Sequence, residues 1–496
     1  MIDGMKITPE RKGVSSKALL KFLKKIDRKK IPIHSLLIAR GDDIILNAYW
    51  APFKKDTLHR MNSVTKSFVG LAIGALIDEG RLNYSDKVIS FFPEASNYDV
   101  SSELREQTVY DLLTMRTSYV LVPGRHWVKY KRYDRIKDYF ENKVFKPRQT
   151  LFYYDSPGSY ILCVIVERIV GESFISYLKK KILCKIGFSE NADCIKDAFG
   201  YSWGDSGLLC TTEDLFKTGR FIKNKGLVNG EQLISESFIS DATRSHGSSC
   251  VDGNQYGYGA YGYGYQIWTE QDGGFGFHGM GMQYLMYSPT NDVIMACTAD
   301  TQGNEAARSI FLDSFNDFLL EEINSEPLEE DAEGYAALCQ YVSGLKLVAL
   351  EGEHSSDISE SINGKLIVLD ENPMDIKWLK LEFSGGKGIL RYENKQGEKA
   401  LLFGIGENVF TEFPQDGYDN MKIGESPEGY HHPCAVSAAW IDGNTFAIKA
   451  QMVGNHLASL NIRIGFDKDR VGVHMSKTTE CFLNEYSGYA IGKMEM

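Results

Sequence analysis

Ser63 and Lys66 are three residues apart at the start of an apolar segment, and their types and spacing are those of a nucleophilic serine with a neighbouring base. On a helix, residues three apart lie on one face, so the two side chains can exchange a proton. A serine hydroxyl is a poor nucleophile until a base removes its proton, and burial favours the neutral, basic form of a lysine. The pair therefore predicts a catalytic serine with Lys66 as its base.

The S-x-x-K spacing is weak evidence by itself, because serine and lysine are common. The alternative for Ser63 is a serine in the first turn of a helix beside a solvated lysine. The same spacing occurs at three further places, which we interpret as accidental: Ser176 with Lys179, Ser343 with Lys346, and Ser384 with Lys387. The segments that follow Ser63 in the sequence distinguish the two interpretations.

The element that must position the pair is a long helix, which the sequence predicts to be buried. After Ser63, apolar residues recur at steps of three and four until Gly80: Val64, Phe68, Leu71, Ala72, Ala75 and Leu76. Burial of this helix removes water from Lys66, and the dipole at its N-terminus stabilises negative charge that develops on the serine oxygen.

Three segments follow this helix: EGRLNYSDKV at 79–88, FFPE at 91–94 and VYDLLTMRTS at 109–118. In their order and spacing, they and the S-x-x-K helix resemble the serine β-lactamase and penicillin-binding-protein-like hydrolase superfamily. The resemblance points to the class C β-lactamase-related branch, close to 6-aminohexanoate-dimer hydrolase and its esterase relatives. It implies an α+β fold, in which helices pack on an antiparallel sheet.

The family's second motif is a tyrosine on a loop that leads into a helix, and residues 152–160 match it. The resemblance implies that Tyr154 is the motif tyrosine, which accepts the serine proton and passes it to the leaving group. The alternative is a loop aromatic that packs on the surface, and Tyr153 is a substitute candidate. Ser156 stands where many β-lactamases have asparagine, which favours the esterase, amidase and peptidase branches.

The third motif is expected on an edge strand beside the serine, and residues 277–284 resemble it. The resemblance implies that the backbone N–H of Met280 completes an oxyanion hole with that of Ser63, while Gly279 and Gly281 let the backbone approach the substrate. The Lys-Thr-Gly of β-lactamases is absent, which removes a positive charge that helps to bind a β-lactam carboxylate. His278 is either a partial replacement for that charge or a structural histidine.

Three other motifs are interpreted as decoys. Gly-Asp-Ser-Gly at 204–207 spells the chymotrypsin nucleophile, but Thr212 nearby is typical of a helix cap. G-x-G-x-x-G at 257–262 has neither the preceding strand nor the following helix of a nucleotide-binding loop. His431, His432 and Cys434 lack the second cluster of a zinc site. We therefore expect no metal and no organic cofactor.

Composition places the chain among ordinary globular proteins: 43% of its 496 residues are hydrophobic and 24% are charged. The net charge of −11 argues against nucleic acid or anionic lipid as a partner. No apolar run reaches the ~20 residues of a membrane span, and the first residues lack the apolar core of a signal peptide. Nine cysteines without paired spacing fit reduced thiols. A cytoplasmic protein is expected, and its oligomeric state cannot be predicted.

Two domains are predicted. Residues 1–326 are expected to form the hydrolase domain, and the acidic stretch at 325–331 marks its end. Residues 327–496 contain short apolar segments at hairpin spacing, which predict an eight-stranded antiparallel β-barrel. This part resembles the lipocalin-like tail of related hydrolases.

These patterns together predict a serine hydrolase that acts on small esters, amides or peptides, including D-amino-acid peptides, through an acyl-enzyme on Ser63. The alternative is a penicillin-binding or sensor protein of the same fold with little or no turnover. Family resemblance alone cannot name the substrate.

Overall fold

The computed structural model describes residues 7–121, 133–251, 254–255, 260–423, 428–478 and 482–495. The chain divides into two compact units, the first ending at Lys346 and the second beginning at Leu347. The first unit thus extends beyond residue 326, where the sequence placed the end of the hydrolase domain. The reason is a helix at Ala332–Ser343, which packs against the first long helix, Ser16–Arg28.

The first unit contains eleven helices in the described residues, several of them only one turn long. They are α1 (Ser16–Arg28), α2 (Val64–Asp78), α3 (Ser102–Arg105), α4 (Val109–Leu113), α5 (Arg135–Phe140), α6 (Ser156–Val170), α7 (Phe174–Leu178), α8 (Thr212–Lys223), α9 (Glu236–Thr243), α10 (Glu305–Phe318) and α11 (Ala332–Ser343). Helices α2 and α6 have 15 residues each. Within the described ranges, no helix has the length and apolar character needed to cross a membrane.

The strands of this unit are β1 (Ile33–Arg40), β2 (Asp43–Tyr49), β3 (His59–Arg60), β4 (Asp193–Cys194), β5 (Leu208–Cys210), β6 (Leu227–Val228), β7 (Glu231–Gln232), β8 (Cys250–Val251), β9 (Asn254–Gln255), β10 (Ala260–Tyr263), β11 (Trp268–Glu270), β12 (Phe275–Gly279), β13 (Gln283–Ser288) and β14 (Val293–Ala299). Seven of them form an antiparallel sheet in the order β10-β11-β12-β13-β14-β1-β2. The pairing of β1 with β14 joins the N-terminal hairpin to strands more than two hundred residues later.

Helices cover both faces of this sheet, as the α+β prediction requires. On one face, side chains of α1, α10 and α11 pack on the sheet in a large apolar core. On the other face, α8 packs against β14 and β1, and α2 packs against β12 and α6. Helix α2 is buried from Val64 to Leu76, which explains why its sequence is apolar on all sides rather than along one stripe. The predicted buried helix after Ser63 is confirmed.

The second unit is built almost entirely of strands, with one short helix, α12 (Ser359–Ile362), in its described part. The strands are β15 (Leu366–Leu369), β16 (Trp378–Ser384), β17 (Lys387–Asn394), β18 (Gly397–Ile405), β19 (Val409–Glu412), β20 (Pro433–Trp440), β21 (Thr445–Val453), β22 (Leu457–Asp467), β23 (Arg470–Thr478) and β24 (Gly488–Met494). Neighbouring strands pair in antiparallel fashion from β15 through β18, and from β20 through β24.

Nine of these ten strands, all but β19, close into a barrel within the described residues, so the predicted count of eight is wrong. The missed strand is β24, which pairs with both β15 and β23. Its small residues Ala490 and Gly492 are buried while Tyr489 and Ile491 are exposed, so its apolar pattern is inverted. An odd number of alternating strands cannot close with antiparallel pairs alone, and β18 accordingly pairs with β20 in parallel.

Candidate active site

Ser63 and Lys66 lie together at the start of α2. Ser63 precedes the first residue of the helix with helical backbone angles, and Lys66 is one turn further on with only 1% of its surface exposed. The Lys66 Nζ donates a hydrogen bond to the Ser63 Oγ at 2.9 Å and another to the carbonyl oxygen of Asp205 at 2.7 Å. The spacing of three residues thus brings the hydroxyl and the amine into direct contact, as predicted.

A buried set of charges holds the carbonyl that binds Lys66. The Asp205 carboxylate lies 3.7 Å from Nη1 of Arg135, and both side chains are almost fully buried. Burial raises the pKa of Asp205 above its ordinary value, while the positive charges of Lys66 and Arg135 oppose this rise. The guanidinium groups of Arg60 and Arg135 lie 4.1 and 5.0 Å from the ring centroid of Trp203. This arrangement holds the peptide after Asp205, and with it the acceptor for Lys66.

The Gly-Asp-Ser-Gly segment has a structural role in this arrangement. The Ser206 hydroxyl accepts a hydrogen bond from Nη2 of Arg60 at 3.0 Å, and the Ser206 carbonyl accepts one from Nε at 3.1 Å. The chymotrypsin-like interpretation was rejected on sequence, and these contacts agree with that rejection. Of the second decoy, residues 256–259 lie outside the described part of the chain.

Tyr154 faces the same pair from the loop before α6. Its position follows from the helix start, because the Asp155 carboxylate caps α6 by accepting the Gly158 N–H at 2.8 Å, and Pro157 lies in the first turn. The Lys66 Nζ lies 5.0 Å from the centroid of the Tyr154 ring. The Tyr154 ring also stacks on the Trp268 ring, with centroids 5.6 Å apart and planes 14° apart.

The third predicted segment lies directly against the serine turn. A side chain at Gly279 would place its Cβ 2.4 Å from the carbonyl oxygen of Met61, so only glycine permits this approach of the two backbones. The Asn62 Nδ2 donates to the carbonyl of Met280 at 2.8 Å. Asn62 has a φ of 46°, a left-handed conformation that asparagine tolerates better than most residues. The end of β12 is therefore tied to the residue before Ser63.

These elements surround a cleft of about 480 Å³. Its lining includes six of the predicted site residues: Ser63, Tyr154, His278, Gly279, Met280 and Gly281. The remaining described residues in its wall are Trp268, Met282, Tyr284, Thr301, Gln302, Gly303, Asn304 and Arg308. Lys66 reaches Ser63 from the buried side. Neither Ser156, the first residue of α6, nor Tyr153 is in this lining, so the structure does not bring these two to the cleft.

Sequence reasoning missed several residues that build the site. Asn62 is adjacent to the serine, and an asparagine before a helix start is a signal for a left-handed turn. Asp205 lies in the Gly-Asp-Ser-Gly segment, whose sequence resembles another enzyme's motif but does not indicate a contact with Lys66. Arg135 and Arg308 carried no signal, because each is an ordinary basic residue in a helical segment far along the chain from Ser63.

The carboxyl group of Asp155, the N-cap of α6, has an unusually high pKa. Its side chain is fully buried, and burial raises the pKa of its carboxyl group from 3.8 to about 7, although the Gly158 N–H, the Thr117 hydroxyl, Lys146 and Lys66 all favour the ionised form. In the unfolded chain the carboxyl ionises near pH 4. Between about pH 4 and 7 the folded protein therefore binds more protons at this residue than the unfolded protein does, and its stability falls as the pH rises.

We expect Asp155→Asn to remove this pH dependence. Asparagine keeps a cap oxygen but does not ionise, so between pH 4.5 and 7.5 the wild type should lose about 3 kcal/mol of unfolding free energy relative to the variant. Urea unfolding of both proteins at the two pH values measures this difference. Asp134→Asn makes the same change at the partly exposed N-cap of α5 and isolates the effect of burial. An Asp155→Asn difference that stays constant with pH would contradict the expectation.

Two sequence comparisons relate this chain to hydrolases of one family. The sequence model of the Beta-lactamase family matches residues 20–312. The 6-aminohexanoate-dimer hydrolase of Paenarthrobacter ureafaciens is 26% identical over 284 residues, which cover 53% of this chain and 71% of that protein. The family match includes the segments that carry Ser63, Tyr154 and Gly279.

Solved structures give similar matches. A Bacillus anthracis protein, provisionally named a 6-aminohexanoate-dimer hydrolase, aligns with a TM-score of 0.50 and 21% identity over 60% of this chain and 80% of its own. The octameric penicillin-binding protein homologue from Pyrococcus abyssi aligns with a TM-score of 0.48 and 18% identity over 96% of this chain and 99% of its own. At these identities the first alignment supports the fold and nothing more specific.

Proposed function

The chain belongs to the Beta-lactamase family, and we propose that it is a serine hydrolase. In this proposal it cleaves small esters or amides through an acyl-enzyme on Ser63. The observation that supports this most strongly is the contact of the buried Lys66 amine with the Ser63 hydroxyl at 2.9 Å, at the wall of a cleft that also holds Tyr154. A serine with an adjacent desolvated base is the general arrangement of an activated nucleophile. Accidental S-x-x-K pairs on a protein surface lack the burial and the cleft.

In the proposed mechanism, Lys66 and Tyr154 act together as the base. The Ser63 Oγ attacks the substrate carbonyl carbon while its proton moves to this pair, and the carbonyl π electrons move to the oxygen. Collapse of the tetrahedral intermediate breaks the bond to the alcohol or amine, which leaves with the proton from Tyr154. Water then attacks the acyl-enzyme carbonyl in the same way and gives up a proton to Lys66 and Tyr154. The proton returns to the Ser63 Oγ as the bond to the acyl group breaks, and the free acid is released.

The oxyanion that forms in both steps needs backbone donors. We assign this role to the N–H groups of Ser63 and Met280, which belong to the two backbone segments that meet at Gly279. The hydrogen bond from Asn62 to the Met280 carbonyl fixes the orientation of that peptide chain beside the serine. A preorganised donor of this kind contributes about 3 kcal/mol to transition-state stabilisation in other hydrolases. Gly281 permits the turn that follows, with a φ of 78°.

The substrate class we propose is short linear amides and esters, including D-amino-acid peptides. The cleft of about 480 Å³ is in the range of small-molecule sites. Its wall combines the aromatic rings of Tyr154, Trp268 and Tyr284 with polar side chains that include Asn304 and Arg308. The name of the Paenarthrobacter relative specifies a 6-aminohexanoate dimer as its substrate, which agrees with such a cleft. Because Lys-Thr-Gly is absent, β-lactams are expected to be poorer substrates.

The competing proposal is a penicillin-binding or sensor protein that is acylated but does not turn over. Ser63, Lys66 and Tyr154 retain the side chains that acylation requires in both proposals, so these residues do not favour the competing one. The two proposals differ only in the fate of the acyl-enzyme. A direct measurement of acylation and of turnover therefore separates them.

We expect a fluorophosphonate probe to modify Ser63 and a p-nitrophenyl ester to be hydrolysed over many turnovers. Peptide mapping by mass spectrometry locates the modified residue, and the time course of p-nitrophenol release distinguishes turnover from a single burst. Modification of Ser63 with a burst of one equivalent would favour the sensor protein. A protein that stays unmodified at Ser63 would contradict both proposals. A panel of esters, D-peptides and cephalosporins then ranks the substrates.

A further inference from the structure

Two buried ionisable side chains meet at the cleft wall, where His278 lines the cleft and Glu270 does not. The Glu270 Oε1 lies 2.8 Å from the His278 Nε2, and each side chain is only 8% exposed. Glu270 ends β11 and His278 belongs to β12, the strand that leads into the third motif. Trp268 is opposite Gly276 in the register of these two strands, so side chains at 268, 270, 276 and 278 share one face of the sheet. No motif in the sequence indicated a partner for His278.

The absence of a side chain at Gly276 makes this contact possible. A Cβ at this position would lie 2.2 Å from the Glu270 Oε1 and 2.5 Å from the His278 Nε2. Both distances are far below a van der Waals contact, so the two side chains occupy the space above the glycine. The pair is thus fitted to this point of the sheet, and a larger residue at 276 would separate it without removing either partner.

The His278 ring continues into a stack of parallel rings that ends at the proposed base. Its centroid is 5.8 Å from that of Trp268, with planes 17° apart, and Trp268 is stacked in turn on Tyr154. The Lys66 Nζ lies 5.0 Å from the Tyr154 ring centroid. His278 also directly precedes Gly279 and Met280, so it is linked both to the tyrosine and to the oxyanion segment. A shift of the imidazole would displace both.

We propose that Glu270 is a positioning residue for the reaction. Its carboxylate anchors the His278 imidazole, and the anchored ring supports the Trp268 and Tyr154 rings and holds the end of β12 against the serine turn. A carboxylate that fixes the orientation of a histidine through one ring nitrogen is a common device in protein sites. Glu270 itself is outside the cleft lining and does not touch the reacting atoms. The inference rests on the proposed roles of Tyr154 and Met280.

The test measures the rate of Ser63 modification by a fluorophosphonate in Glu270→Ala, Gly276→Ala and Glu270→Gln. A misplacement of about 1 Å can cost up to about 100-fold in rate, so we expect Glu270→Ala and Gly276→Ala each to lower the maximal modification rate by about 10- to 100-fold, with the probe concentration at half-maximal rate changed less than about 3-fold. Glu270→Gln keeps the size of the side chain and its close contact with the imidazole, so it should retain at least about a third of the wild-type rate. Tryptophan fluorescence should change in the two slow variants as Trp268 loses its neighbour.

Asp197→Ala is the matched control. It removes another buried carboxylate of this unit, which accepts the Tyr160 hydroxyl at 2.5 Å and does not line the cleft. Its modification rate should stay near wild type even where its melting temperature falls. Wild-type rates in both Glu270→Ala and Gly276→Ala would overturn the inference while Ser63 modification still supports the proposed function. An equal loss of rate in Asp197→Ala would also overturn it, by showing a general effect of destabilisation. A wild type that is not modified at Ser63 contradicts the proposed function instead.

Discussion

Replacement of Ser63 by alanine should lower kcat/KM for p-nitrophenyl acetate by about 10⁴-fold or more, because the variant lacks the atom that forms the acyl-enzyme. The protein should remain folded, since the Ser63 side chain does not cap α2. Lys66 keeps its hydrogen bond to the Asp205 carbonyl in the variant. Initial rates of p-nitrophenol release, corrected for uncatalysed hydrolysis, measure the effect.

Ser343→Ala is the matched control for this experiment. Ser343 and Lys346 have the same S-x-x-K spacing, but both are exposed and the Ser343 hydroxyl donates to the carbonyl of Gln340. This variant should hydrolyse the ester at the wild-type rate. Full esterase activity in Ser63→Ala would show that the nucleophile is another residue. The contrast between the two variants would show that the environment of the serine, and not the S-x-x-K spacing, determines its reactivity.

The second large effect is expected for Tyr154→Phe. Phenylalanine keeps the ring that stacks on Trp268 and faces the Lys66 amine, so the packing of the cleft wall is preserved. The change removes only the hydroxyl to which we assign proton transfer between Ser63 and the leaving group. Loss of a general acid or base typically costs about 10²- to 10⁴-fold, and we expect kcat/KM to fall by about 10²-fold or more. Steady-state kinetics and a thermal unfolding curve measure rate and folding separately.

Tyr153→Phe provides the comparison that distinguishes the two candidate tyrosines. The Tyr153 side chain is partly exposed and is not in the described cleft lining, so its hydroxyl should be dispensable. We expect near wild-type kinetics for Tyr153→Phe. Undiminished turnover in Tyr154→Phe, together with a loss in Tyr153→Phe, would transfer the proton-shuttle role to Tyr153. A loss in both would indicate that the loop before α6 has to keep both hydroxyl groups.

Much of the first unit could be predicted because its signals are local. The apolar repeat from Val64 to Leu76 fixes a buried helix, and a spacing of three residues on that helix is enough to bring Lys66 to Ser63. The start of α6 was equally readable, since Asp155 and Pro157 are typical of a helix N-terminus and place Tyr154 just before it. The order of these segments indicated the family, and the family match over residues 20–312 agrees with it.

Some expectations failed where a local pattern was ambiguous. The barrel strand Gly488–Met494 was missed because its small residues face inward, so its large apolar side chains gave no sign of burial. Substrate binding by Ser156, which was expected from its motif position, stays a prediction, since the structure places this residue outside the described cleft lining. A motif position gives the place of a residue along the chain, but the direction of its side chain depends on the loop that precedes the helix.

Ser63 as the candidate nucleophile, the helix that carries it and the fold class could all be predicted, because helix periodicity and motif spacing are properties of neighbouring residues. The surroundings of these residues became apparent only in the folded chain. Asp205 reaches Lys66, Asn62 reaches Met280, and Glu270 reaches His278 through contacts between separate strands, loops and helices. Such contacts depend on strand register and on the close approach of backbones at Gly276 and Gly279, which no local pattern encodes.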